Sequence, residues 1–262
     1  MQTVDKAMKL LGYFSVAEPE IGLSELARLA SFDKAATRRF LVALASHGLI
    51  EQDSHTRKYR LGPAFLRLAR IREATRPLAR MMQQSLDELA RVTGETAHGS
   101  MFSGEDLSTI GVAEPQRPTR VSVIASQPLP LHATASGLAC LAFLDHGTAR
   151  QILSTTPLRK HTDHTCVSKR ELNAALADTR KRGYSMAVRT FDDDVISIAA
   201  PIFDAAGIAI GAISVASIAS RFSKESERFI AGCVLEAAGA VSEATGGVIH
   251  PSLAAAIDRL RA

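Results

Sequence analysis

The stretch GLSELARLASFDKAATRRFLVALASHGLIEQDSHTRKYRLG, residues 22–62, decides the reading of this chain. Leu23, Leu26, Ala27 and Ala30 recur at helical spacing, and Ser24 is placed to cap the first turn. Ser31-Phe32-Asp33 interrupts the pattern, and Asp33 is placed to cap a second helix over 34–46 that Gly48 stops. Phe40, Leu41 and Leu44 form the apolar stripe of that helix, while Lys34, Thr37, Arg38 and Arg39 crowd its opening turns. Residues 49–52 and 57–61 then read as two strands around the turn Asp53-Ser54-His55-Thr56. Helix, sharp turn, basic helix and hairpin, in that order, build a winged helix-turn-helix. Positive side chains at the start of a helix after a tight turn can enter a major groove of duplex DNA.

Charge supports this reading. Residues 1–76 hold 13 basic against 8 acidic side chains, an excess of five, in a chain whose net charge is only +4. The basic surplus therefore sits where a polyanion would use it. The 262 residues suffice for two domains, and 46% hydrophobic content supports a sizeable core. No apolar run is long enough to span a bilayer, and residues 1–6 do not read as a signal peptide, so a cytoplasmic protein with no membrane partner is expected. Cys140, Cys166 and Cys233 are odd in number and widely spaced, which argues against a disulfide framework.

Outside the winged segment, Val4, Ala7, Met8, Leu11 and Phe14 predict a helix over 4–14 with these residues on one face. Pro63 opens an arginine-rich helix that reads as a connector, and Pro77 opens another that ends at Gly94. Strands are expected over 95–102, 107–113 and 119–125, and helices over 137–144, 148–153 and 169–182. Strands over 195–203 and 208–217 flank the turn Asp204-Ala205-Ala206-Gly207, and helices over 223–244 and 251–261 follow. Mixed elements with hairpin connections indicate an α+β architecture on an antiparallel sheet. The expected domains are a winged helix-turn-helix over 1–62, a linker helix over 63–76, an effector domain over 77–250 and a C-terminal helix over 251–262.

The winged segment resembles the IclR family of bacterial transcriptional regulators. Leu23-Ser24-Glu25-Leu26-Ala27, Arg39-Phe40-Leu41-Val42-Ala43-Leu44, Gly48-Leu49-Ile50-Glu51 and Tyr59-Arg60-Leu61-Gly62-Pro63 carry the likeness there. Thr93-Gly94-Glu95-Thr96, the run from Pro130 to Ala135, Arg182-Gly183-Tyr184 and the run from Ile198 to Asp204 extend it in family order through the second half. The resemblance implies that the second half is a GAF-like effector domain binding a small molecule, and that the chain forms a homodimer or homotetramer on an operator. It leaves open whether the protein represses or activates.

The candidate DNA contacts are Ser24, Lys34, Ala36, Thr37, Arg38 and Arg39, with Arg57 and Lys58 at the wing. Relatives often carry hydroxyl residues where this chain has Ala35 and Ala36, which removes two possible contacts. For the effector, alternation puts Val195, Ser197 and Ala199 on one face of their strand and Ala212, Ser214 and Ala216 on one face of the next. The resemblance implies that Val195, Ser197, Ser214 and Ala216 line the site with Val121 and Leu129 as apolar walls. It also implies that the turn at Ala135, Ser136 and Gly137, which enters a helix, offers free backbone N–H groups to a carboxylate.

Ala187 and Arg189 stand where relatives commonly show an acid nearby, and Asp194 stands where they show glycine. Losing the acid and gaining Arg189 favours an anionic ligand, a small organic acid with aromatic acids included, if Arg189 faces inward, although an exposed Arg189 is the expectation. His161, Asp163, His164 and Cys166 have ligand-type chemistry but sit in a polar loop, so no metal is expected. Ser136 and His132 are the one Ser/His pair of interest and lack an orienting third group. With no glycine-rich nucleotide loop, neither an enzyme nor a cofactor is expected.

Overall fold

In the computed structural model, which describes residues 2–15, 17–75, 78–103, 106–125 and 127–261, the chain divides into two units, 1–77 and 78–262. The first contains α1 (Gln2–Leu11), α2 (Leu23–Ala30), α3 (Lys34–Ser46), β1 (Ile50–Gln52), β2 (Tyr59–Leu61) and α4 (Ala64–Thr75). Leu10, Ile21, Leu26, Ala30, Leu41, Leu44, Ile50 and Tyr59 form its core. Helix α1 ends at Leu11, three residues before the expected end, because Gly12 starts a tighter turn in which Gly12 N–H donates to the Lys9 carbonyl. Its buried side is centred on Leu10. Val4 and Met8, expected on that face, are 66% and 53% exposed.

Gly22, not Ser24, precedes the first turn of α2, and Ser24 is exposed inside the helix without a capping bond. Asp33 does cap α3: its Oδ1 accepts from Ala36 N at 2.7 Å. The wing is narrower than expected. Arg57 takes a left-handed backbone (φ 60°) and leaves the ladder, so pairing runs only from Ile50↔Leu61 to Gln52↔Tyr59. Asp53 holds the wing's tip by accepting from the backbone of His55 and Thr56. Ile21 and Tyr59 exchange both backbone bonds at 2.9 Å and pin the wing to the segment before α2.

The second unit contains α5 (Leu78–Thr93), β3 (Thr96–Ser103), β4 (Asp106–Ala113), α6 (Ala135–Phe143), α7 (His146–Thr155), α8 (Lys169–Arg182), β5 (Ser185–Val188), β6 (Val195–Phe203), β7 (Ala209–Ile218), α9 (Lys224–Ala244) and α10 (Pro251–Arg261). Pro77, expected to open α5, lies outside the described residues. The strands form one antiparallel sheet in the order β4-β3-β7-β6-β5. Helices α5 and α9 cover one face, where Gly99 leaves room for the Met82 side chain. The other face carries α6, whose residues are all buried. Ser185 Oγ anchors it by donating to the Ala135 carbonyl at 2.7 Å. Helix α10 lies against α8 and α9, close enough that a Cβ on Gly183 would meet Ala256.

Residues 119–125, expected as a strand, are irregular. Strand β3 already has β4 and β7 as neighbours, so no ladder is open to them there. They are tied instead by Thr96 Oγ1 donating to the Val121 carbonyl (2.6 Å) and Arg221 Nη1 to that of Thr119 (3.1 Å). The short β5 was not foreseen. No helix among the described residues is long and apolar enough to cross a membrane.

Candidate functional site

On α3 the side chains of Lys34, Ala35, Arg38 and Arg39 are exposed, and Val42 is 59% exposed in line with them. Positions 35, 38, 39, 42 and 46 follow the helical period, and they border a hollow that Leu23 of α2 closes. Among the described residues no carboxylate pairs with Lys34, Arg38 or Arg39. Ala36 is half-buried. Thr37 departs from expectation: it is fully buried and its hydroxyl donates to the Asp33 carbonyl at 2.9 Å, so it braces the cap instead of facing outward. The helical period could have placed Ala35, Val42 and Ser46 on this face in its stead. Arg57 and Lys58 are exposed at the wing.

The second unit holds a cavity of about 230 Å³ between the α6 face of the sheet, the loop 121–129 and the loop 190–192. Of the expected effector residues, Val121, Leu129, Ala135, Ser136, Val195, Ser197 and Ala216 line it. Gly137 and Ser214 do not. A Cβ on Gly137 would lie 2.4 Å from the Leu131 backbone, so that residue is the close contact that seats α6. Ser214 is fully buried, with its hydroxyl donated to the Ile198 carbonyl at 3.0 Å. Thr134 caps α6 through Oγ1, which accepts from Gly137 N at 3.1 Å. Among the described residues the amides of Ala135 and Ser136 have no acceptor, and both residues border the cavity.

Several residues lining the cavity were absent from the expected effector set, His98 and Phe191 among them. His98 projects from β3 beside Ser214 of β7 in the register, on the face that α6 covers. Burial holds its imidazole at about 4, so the ring is neutral at pH 7. Its Nε2 lies 3.4 Å from Ser136 Oγ, whereas His132, the expected partner, turns Nε2 to the Arg159 carbonyl at 2.8 Å. The separation of 38 residues between His98 and Ser136 hid the pair from any local pattern. Phe191 forms part of the opposite wall. Asp192 is the one acidic side chain lining the cavity among the described residues, and no Lys or Arg does so. Arg189 is exposed, with a left-handed backbone at φ 57°.

The 159–165 loop, with its metal-like spacing, buttresses this wall. Thr162 Oγ1 donates to the Arg189 carbonyl and Thr165 Oγ1 to that of Thr190, both at 2.6 Å. His161 packs its ring between those of His132 and Phe191, at 5.7 and 5.1 Å. Among the described residues no cluster of three His, Cys, Asp or Glu could hold a metal. The other wall is fixed through Glu95, 6% exposed, which receives Arg221 in a two-point ion pair at 2.8 and 2.6 Å.

A winged helix with an unpaired basic face, followed by a sheet domain enclosing a cavity, defines a DNA-binding regulator with an effector domain. The family model described as IclR helix-turn-helix domain matches residues 3–54, and that described as bacterial transcriptional regulator IclR C-terminal matches residues 74–243. The chain belongs to the IclR family of bacterial transcriptional regulators, which are not enzymes. It is 30% identical over 249 residues to the HTH-type transcriptional regulator BhcR of Paracoccus denitrificans, covering 92% of this chain and 86% of that one. The crystal structure of an IclR regulator from Silicibacter sp. TM1040 matches with a TM-score of 0.91 at 36% identity, over 95% of this chain and 98% of the other. An IclR homolog from Microbacterium hydrocarbonoxydans, crystallised with 4-hydroxybenzoate, shares the fold with a TM-score of 0.76 at 20% identity, over 93% and 98%.

Proposed function

We propose that this regulator binds a duplex operator through α3 and its wing, and that a small organic acid in the 230 Å³ cavity alters its grip. The observation that carries the ligand reading is the start of α6. Ala135 and Ser136, with unengaged amides, border a partly open, largely apolar space there, and the positive end of a buried helix suits one carboxylate. The homolog holding 4-hydroxybenzoate supports an acid that is aromatic. Lys34, Arg38 and Arg39 supply groove and phosphate contacts, with Ser24 and Ala36 at the margin of that face and Arg57 and Lys58 on the flanking backbone.

The chain acts in the cytoplasm as a homodimer or homotetramer. The exposed apolar residues Val4 and Met8 of α1, and Leu66 and Leu68 of α4, suit contact between copies. A ligand that binds one arrangement of the copies more tightly than another shifts their population and with it operator affinity. A thermal-shift screen of small carboxylates, followed by gel-shift titration at fixed salt, tests this reading. At least one carboxylate should raise the melting temperature and move the operator titration. The effector reading fails if none raises it.

A further inference from the structure

Helix α3 packs on the core through Leu41 and Leu44. Val42, which lies between them in the chain, is 59% exposed. A valine there does nothing for the helix: it adds little burial, and its branched Cβ lowers helix propensity relative to alanine. A lone exposed valine is ordinary on a protein surface. This one, however, stands in the row of 35, 38, 39, 42 and 46, one turn on from Arg38 and Arg39. Among the described residues, no acidic side chain lines the hollow that this row borders. Two arginines suit phosphates or acceptor-bearing base edges, and neither is a partner that a valine can use. An apolar side chain set in a cationic row therefore calls for a polyanion that also carries an apolar group.

We propose that Val42 reads the C5-methyl of a thymine in the major groove. Each operator half-site would then carry a thymine, its methyl turned toward α3, within one or two base pairs of the contact made by Arg38 or Arg39. This rests on the reading of α3 as the helix that enters the groove. Of the four bases only thymine turns an apolar group into the major groove. The others present donors and acceptors there that a valine cannot meet and would strip of water. The spacing follows from two repeats. Side chains three or four apart on a helix lie about 5–6 Å from each other, and successive base pairs about 3.4 Å. Ala35, the other apolar member of the row, presents one methyl where Val42 presents two, so the stronger readout belongs to Val42.

The probe is a duplex enriched from a random-sequence pool by repeated binding to the full chain. Each of its thymines is replaced singly by deoxyuridine, which removes the methyl and keeps the base pair, and affinity is measured by gel shift at fixed salt. At one thymine of each half-site the loss should be about fourfold, the weight of a single methyl taken out of water. Val42→Ala puts a better helix former at an exposed position, so weaker binding by this variant does not reflect a weaker helix. It should bind the unaltered duplex about fourfold less tightly and respond to deoxyuridine at that base by less than twofold. Deoxycytidine at the same place should also weaken binding by the unaltered chain, and 5-methyldeoxycytidine, which restores the methyl, should recover part of the loss. Val42→Gln, which should likewise lose the response to deoxyuridine, decides the matter if circular dichroism shows Val42→Ala to be misfolded. No loss at any thymine, or losses that all survive both substitutions, overturns the role of Val42 while the groove reading of α3 stands. If enrichment yields no duplex that binds better than random DNA, both readings fall together.

Discussion

Two helix starts in this chain face in opposite directions, chemically. Helix α3 begins at an Asp33 cap on the surface, with Lys34, Arg38 and Arg39 exposed around it. Helix α6 begins at a Thr134 cap inside the second unit, with every residue buried and, among the described residues, no cation lining the cavity it borders. Both offer unengaged amides and a positive helix end to an anion. The outer start adds full charges, which act at a distance and are screened by salt. The inner one relies on neutral donors at the buried start of a helix, where geometry counts for more than charge. The same local structure thus suits a polyanion whose charge must be matched and a small acid whose shape must be matched.

The largest expected effect concerns the inner site and pH. Burial holds His98 at about 4, against an ordinary value of 6.5. Above pH 6.5 neither the folded nor the unfolded state protonates this ring, and it contributes no pH dependence. As pH falls below that, the unfolded chain takes up a proton that the folded one refuses, so stability falls by up to about 3 kcal/mol by pH 4. His161, also lowered, chiefly by burial, pushes the same way to a smaller extent. Urea unfolding at a series of pH values should show this loss, and His98→Gln should flatten it. An unchanged slope in that variant would show that His98 is not held neutral.

The next effect separates the outer site from the inner one. Arg38→Ala together with Arg39→Ala should weaken operator binding about a hundredfold at fixed salt and reduce the salt slope by about two. Ligand affinity and the melting of the effector domain should not change. A salt slope equal to that of the unaltered chain would remove these arginines from the DNA contact. The smallest effect compares the caps. Thr134→Ala should cost about 1 kcal/mol of stability and also weaken ligand binding, since it frees the first turn of α6. Asp33→Ala should cost less stability, because water reaches that turn, and should be felt in DNA affinity. Urea midpoints and gel shifts on the two variants distinguish these outcomes.

The elements legible in the sequence were those set by neighbours in the chain. The spans of α3, α8 and α10 follow from apolar spacing and from Asp33, Gly183 and Pro251. Residues 119–125 misled because their composition suits a strand, while β3, to which Thr96 ties them, is already paired on both sides. Strand β5 was missed because four residues are too few to show a period. Thr37 looked like a groove contact because hydroxyls suit bases, yet its position on the helix turns it inward.

The sequence alone determined the two-part plan, the basic reading helix and the α+β class, because helical periodicity, caps and charge are properties of adjacent residues. It also carried enough family pattern to point to seven of the residues that line the cavity. Only the tertiary structure decided that Ser136 meets His98 instead of His132, that Ser214 and Gly137 are packed away from the cavity, and that the 159–165 loop braces its wall. Those contacts join strands and loops far apart in the chain. The register of a sheet, which fixes them, arises from the packing of all its faces at once.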